Sequence, residues 1–122
     1  MSQTRAPELL EAVRAFLRSD VVPQLEGFSA YTARVAANSL AIALRELELG
    51  GALRELDAQA AARLGIDPDE GPVARQLALR LRDGDIRPDP ELIEYLRRRT
   101  LKALEIDNPK YSGYLQALAR WD

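Results

Sequence analysis

The chain has 122 residues, of which 47% are hydrophobic and 30% are charged, and its formal net charge is −2. This mixture is too apolar for a disordered chain, so we expect one globular domain over residues 1–122. The chain has no Cys and no His, which excludes disulfides, thiolate or imidazole zinc sites, and Cys or His nucleophiles within one chain. The slight acidic excess disfavours nucleic acid as a partner.

The longest apolar stretch, from Val35 to Leu44, is interrupted by Asn38 and Ser39. It is far shorter than the roughly 20 residues that a membrane-spanning helix requires. The N-terminus leads into a charged amphipathic pattern and does not resemble an export signal. We therefore expect a cytoplasmic protein with no membrane partner.

The first predicted helix begins at Pro7 and stops before Pro23. It carries apolar residues at helical spacing, namely Leu9, Leu10, Val13, Phe16 and Leu17.

Ser29 is the predicted N-cap of the longest helix, which is expected to run to about Leu49. The pair Gly50-Gly51 is predicted to close it, because glycine readily adopts a left-handed conformation. A third segment then covers about Ala52 to Leu64 and ends at Gly65.

Residues 67–72 read as a turn, and a fourth helix follows from Val73 and ends at Gly84. Asp89 is the predicted N-cap of a fifth helix over about residues 90–105. A last helix, from about Ser112 to Arg120, follows Asn108-Pro109. The pattern predicts an all-α fold, a single-domain bundle of five to six helices around a long, largely buried second helix.

A polar row on the second predicted helix is the most unusual feature of the sequence. Arg34, Asn38 and Arg45 fall within about 40° of one another around the helix axis. Most other positions on this helix are apolar or small, so the row requires partners. A structural interpretation pairs it with Asp107 or with carbonyl groups near Asn108, whereas a functional interpretation presents the two guanidinium groups to a phosphate or carboxylate.

Arg97, Arg98 and Arg99 form a second cluster of positive charge. Successive positions on a helix diverge by about 100°, and the opposite side of this segment is apolar. We therefore expect these three arginines to form a solvated face rather than a binding site.

Three pieces of the chain resemble a bacterial family of short helical proteins of unknown function. They are PELLEAV at residues 7–13 with the following Phe16-Leu17, RVAANSL at 34–40 with RELELG at 45–50, and LEIDNPKY at 104–111, of which RVAAN and DNPKY are among the most restrictive parts. Members of that family are typically encoded beside aminoglycoside-phosphotransferase-like kinases and acyl-CoA dehydrogenases. The resemblance implies a setting in acyl-CoA metabolism with such enzymes as neighbours.

The motifs that carry the resemblance contain a set of polar residues that we expect to form a binding or structural polar centre. The set comprises Arg34, Asn38, Arg45, Glu46, Asp107, Asn108 and Tyr111. The resemblance assigns no catalytic residue to any of them.

The sequence leads to two main functional hypotheses, neither of which requires a metal or a cofactor; a third, an enzyme in its own right, would have to rely on carboxylates, Lys102, Lys110 or tyrosines. The first is a non-catalytic helical accessory or protein-interaction domain, acting as a homodimer or with a phosphotransferase-like kinase or acyl-CoA dehydrogenase. An apolar surface left over after the core is filled would favour it. The alternative is a binding module for an acyl-CoA or another anionic metabolite, which a solvent-open concave site beside Arg34 and Arg45 would favour.

Overall fold

The computed structural model describes residues 5–121, which form five α-helices and contain no β-strand. The helices are α1 (Arg5–Phe16), α2 (Gly27–Leu64), α3 (Val73–Arg82), α4 (Pro90–Asp107) and α5 (Ser112–Trp121). A π-helical turn (Leu17–Val21) and a short 3₁₀ turn (Val22–Gln24) follow α1, and another 3₁₀ turn (Pro68–Glu70) precedes α3. The predicted all-α class and the long second helix are confirmed.

The predicted break at Gly50-Gly51 is wrong, because α2 continues through both residues as one helix of 38 residues. Neither glycine has a positive φ, so each adopts the helical conformation that a non-glycine residue would adopt. Glycine permits a helix end but does not impose one, since its cost inside a helix is only about 1 kcal/mol. The predicted N-cap Ser29 is also wrong, because α2 begins at Gly27.

The true end of α2 lies at Gly65, as the sequence predicts. Gly65 has a φ of +68°, and the Ile66 N–H donates to the Ala61 carbonyl at 2.9 Å. This is the Schellman arrangement, in which a left-handed residue lets the chain cap the last carbonyls of a helix. Asp89 behaves as predicted at the start of α4, where its Oδ1 accepts a hydrogen bond from the Leu92 N–H at 2.7 Å.

Gly65 has a positive φ and Gly51 does not, so we expect alanine to change the free energy of unfolding in opposite directions at the two positions. Gly65→Ala is expected to lower the free energy of unfolding by about 1 kcal/mol, because alanine is strained at positive φ. Gly51→Ala is expected to raise it by up to about 1 kcal/mol, since a Cβ there meets no atom nearer than 4.0 Å. Urea unfolding of the two variants measures both effects, and equal destabilisation would contradict the assigned conformations.

The chain forms two compact units, which divide between Glu48 and Leu49 within α2. The second unit has a hydrophobic core of seven buried residues contributed by α2, α3, α4 and the loop after α2. They are Ala60, Ala61, Ile66, Val73, Leu77, Leu92 and Tyr95. Leu77 and Leu92 are its most deeply buried side chains. The prediction of a single domain over residues 1–122 stays a prediction.

The first unit is built differently, because its described part contains no large buried side chain. Its buried residues in α2 are Ala30 and Ala37, both of them small. This half of α2 is less covered than its apolar composition predicts. The sequence pattern identifies the apolar positions of this half of α2. It does not show which of these positions pack against another element.

Candidate functional site

Two of the predicted site residues, Arg34 and Asn38, line an open groove in the first unit. The groove has a volume of about 350 Å³ and is lined by Arg18, Val22, Arg34, Ala37, Asn38 and Ala41. Arg18 comes from the π-helical turn, and Val22 begins the following 3₁₀ turn. The other four residues lie on one side of α2, where the small side chains of Ala37 and Ala41 leave room between the polar groups.

The electrostatics of this groove are positive although the whole chain is slightly acidic. The α2 sequence from Gly27 to Arg45 contains two arginines and no acidic residue. Within residues 5–121, neither Arg18 nor Arg34 makes an ion pair or a side-chain hydrogen bond. The groove therefore offers two guanidinium groups and one amide to a carboxylate or a phosphate from outside.

The other predicted residues lie elsewhere. Arg45 and Glu46 are further along α2, outside the lining of the groove, and both make polar interactions of their own. Asp107 ends α4 in the second unit and also has an interaction partner. The predicted contact between the polar row and the segment around Asp107 would join the two units, and it stays a prediction.

Asn108 has a local structural role in the turn between α4 and α5. Its Oδ1 accepts a hydrogen bond from the Lys110 N–H at 3.1 Å, and its carbonyl accepts one from the Tyr111 N–H at 3.1 Å. Asparagine stabilises turns in this way because its side chain reaches backbone groups two residues ahead. The half-exposed ring of Tyr111 lies at the end of the turn.

A polar cluster in the second unit was not predicted from the sequence. Asp57 on α2 forms it with Tyr95 and Arg99 on α4. The Tyr95 hydroxyl donates to Asp57 Oδ1 at 2.6 Å, and Arg99 Nε donates to the same oxygen at 2.9 Å. A second guanidinium nitrogen of Arg99 lies 3.4 Å from Asp57 Oδ2. The cluster joins two helices beside the core, and it corrects the expectation that Arg99 belongs to a solvated face.

The pKa of the Tyr95 phenol is raised far above its ordinary value. Burial of the phenol is the main cause, and the adjacent Asp57 carboxylate adds to it by disfavouring a second negative charge. The hydroxyl therefore stays protonated and acts as a hydrogen-bond donor. We assign the cluster a structural role, since a phenol held in this state is not an effective base near neutral pH.

A sequence signal for this cluster does exist. Asp57 lies three, four and seven residues before Ala60, Ala61 and Leu64, which places a carboxylate on the apolar side of the helix. A carboxylate at such a position requires a partner. What the sequence does not show is which cation reaches it.

Exposed apolar side chains are the most prominent surface feature of the first unit. On α1 they form a row of Leu9, Val13 and Phe16, which we call the α1 stripe; on α2 they form a row of Phe28, Tyr31 and Val35, the α2 stripe. Phe28 is 80% exposed, and its ring centre lies 6.2 Å from that of Tyr31. Leu25 and Leu47 are exposed outside the two stripes. A surface of this kind is characteristic of a binding interface.

The described residues place limits on other kinds of site. None of the helices among them has the length and apolar character needed to cross a membrane. Within residues 5–121, no group of three or more carboxylate side chains is arranged to hold a metal ion.

Neither the comparison with curated proteins nor the comparison with solved structures gives a match. One family model matches residues 23–111, under the description "Domain of unknown function (DUF6285)". The match contains the groove residues of α2, both RVAAN and DNPKY, and the Asp57 cluster, whereas PELLEAV lies before it. Because this match covers well over half of the sequence, the chain belongs to the DUF6285 family.

Proposed function

We propose that this chain is a non-catalytic helical interaction domain and that the first unit provides its binding surface. The observation that supports this proposal is the exposure of large apolar side chains in the first unit, whose described part buries only alanines. Burial of one such side chain contributes about 1.5 to 3 kcal/mol, so covering several of them gives enough free energy for a stable complex.

The partner that we propose is a phosphotransferase-like kinase. Its basis is the resemblance of the three motifs to short bacterial proteins encoded beside such kinases and beside acyl-CoA dehydrogenases. The same resemblance leads us to propose a cytoplasmic setting in acyl-CoA metabolism. The first unit would act as an accessory surface for the enzyme and would supply no reacting group.

Co-purification with a phosphotransferase-like kinase of the kind encoded beside the proteins that this chain resembles tests the proposal. We expect a complex that survives size-exclusion chromatography. Leu25→Ser and Leu47→Ser, which replace two exposed apolar residues of the first unit, should each weaken it about tenfold, because truncation of a central apolar contact costs more than 1 kcal/mol. Ile93→Ser is the matched control, since Ile93 is an exposed apolar residue of the second unit. Separate elution of the two proteins, or equal loss with Ile93→Ser, would contradict the proposal.

The groove supports a second candidate, the binding of an acyl-CoA or another anionic metabolite. Its two arginines without partners and its volume of about 350 Å³ suit a phosphate or carboxylate group with a small apolar neighbour. A thermal-shift screen of CoA esters distinguishes this candidate. Stabilisation that Arg34→Gln abolishes would favour it over the interaction domain.

A further inference from the structure

The two exposed stripes of the first unit match each other when their helices run in opposite directions. Along the chain, the α2 stripe has steps of three and four residues, and the α1 stripe has steps of four and three. In an antiparallel arrangement the order of one stripe is reversed. With a rise of about 1.5 Å per residue, each residue of one stripe then lies at the same height along the helix axis as one residue of the other stripe. The matched levels are Phe16 with Phe28, Val13 with Tyr31, and Leu9 with Val35.

The charges beside the stripes are complementary in the same arrangement. Glu8 and Arg34 each lie about 90° to 110° around the helix axis from the stripe on their own helix, in the same rotational sense. When two antiparallel helices face each other, residues that flank their stripes in the same rotational sense come to the same side of the contact. In the matched register, Glu8 stands opposite position 36, between Arg34 and Asn38. Within the described chain Glu8 has no ion-pair partner, and neither has Arg34.

We propose that these stripes bind a second copy of this chain, with α1 of each copy packed antiparallel on α2 of the other. The second copy is the favoured occupant because one sequence carries both complementary surfaces, and a two-fold axis uses the contact twice. The carboxylate of Glu8 from one copy then occupies the groove of Arg18 and Arg34 in the other. This inference rests on the proposed function and adds the identity of one partner.

The contact leaves part of the exposed apolar surface uncovered. Leu25 and Leu47 lie outside both stripes, so a dimer keeps them available to another protein. Dimer formation and binding of the kinase-like enzyme are therefore separate events with separate tests.

Site-specific crosslinking tests the arrangement directly, because the natural chain has no cysteine. One sample carries Glu8→Cys and a second carries Arg34→Cys, and the two are mixed and treated with a short bismaleimide. We expect a crosslinked pair that contains one chain of each kind, identified by mass spectrometry. The matched control replaces Arg34→Cys by Arg82→Cys, an exposed arginine of the second unit, and should give little product.

Sedimentation equilibrium measures the dissociation constant of the dimer. Tyr31→Ser is expected to weaken the dimer at least about tenfold, whereas Ile93→Ser should leave it within about twofold. Glu8→Arg should weaken it by about two- to fivefold, and adding Arg34→Glu to the same chain should restore most of the loss. Circular dichroism of each variant establishes that the helices are retained.

The outcomes distinguish this inference from the proposed function. A chain that stays monomeric, or a dimer that Tyr31→Ser leaves unchanged, overturns the α1–α2 pairing. A monomer that still binds the kinase-like enzyme retains the proposed function and removes only the dimer. A crosslinked dimer that does not bind the enzyme retains the pairing and removes the kinase as the partner.

Discussion

Leu77→Ala is expected to lower the free energy of unfolding by about 3 kcal/mol. Leu77 lies on α3 and is only 1% exposed within the core of the second unit. Truncation removes the transfer free energy of the side chain and leaves a cavity, because the surrounding helices relax only in part. Urea unfolding followed by circular dichroism measures the change.

Leu79→Ala is the matched control, because it makes the same chemical change two residues further along the same helix. Leu79 is 42% exposed, so we expect the loss to stay below about 1 kcal/mol. A comparable loss for Leu77→Ala and Leu79→Ala would mean that α3 does not present Leu77 to the core as described.

Asp57→Asn is expected to lower the free energy of unfolding by about 2 kcal/mol. The substitution nearly preserves shape but removes the charge that pairs with Arg99, and Arg99 is too enclosed for water to replace the lost partner fully. Both side chains keep some solvent exposure, which places the expected loss below that of a fully buried pair. Urea unfolding again measures the effect.

Asp83→Asn provides the control for this second prediction. Asp83 forms an ion pair with its neighbour Arg82, and both side chains are largely exposed. Its loss should cost no more than about 0.5 kcal/mol, since solvent screens such pairs. In addition, Asp57→Asn combined with Tyr95→Phe should cost less than the sum of the single changes, because Asp57→Asn already weakens the hydrogen bond that Tyr95→Phe removes. If the losses of the two single variants simply add up in the double variant, the hydrogen bond between Tyr95 and Asp57 is contradicted.

The helix ends show what local sequence can predict in this chain. Asp89 and Gly65 act through hydrogen bonds to backbone groups within a few residues, so their roles follow from neighbouring positions alone. Gly50 and Gly51 do not, because glycine is compatible with both a helix end and a helix interior. The local sequence therefore does not decide between a helix end and a helix interior at these two positions.

The candidate site was predicted in part. Arg34 and Asn38 were identified as an unusual polar pair on an apolar helix, and the structure places both in one groove. Arg18 was not identified, because its position opposite α2 depends on the path of the chain through residues 17–24. Asp57 was missed for a related reason, since its partners follow 38 and 42 residues later in the chain.

The two units differ in how far they bury their apolar residues. The second unit has a hydrophobic core and a three-residue polar cluster that joins α2 to α4. The first unit leaves several large apolar residues exposed, and its arginines Arg18 and Arg34 have no partner within the described chain. This difference indicates that the second unit maintains the fold, and it supports our proposal that the first unit provides the contacts with other chains.

Tyrosine footprinting tests the central claim most directly, because the chain offers a matched pair of rings. Tyr31 in the α2 stripe is 59% exposed, and Tyr111 in the second unit is 50% exposed. Both should react similarly with a tyrosine-selective reagent in dilute, monomeric protein. In the dimer with a second copy, whether or not the kinase-like enzyme is also bound, we predict protection of Tyr31 and continued labelling of Tyr111. Unchanged labelling of Tyr31 in that dimer would contradict the assignment of the first unit as the binding surface.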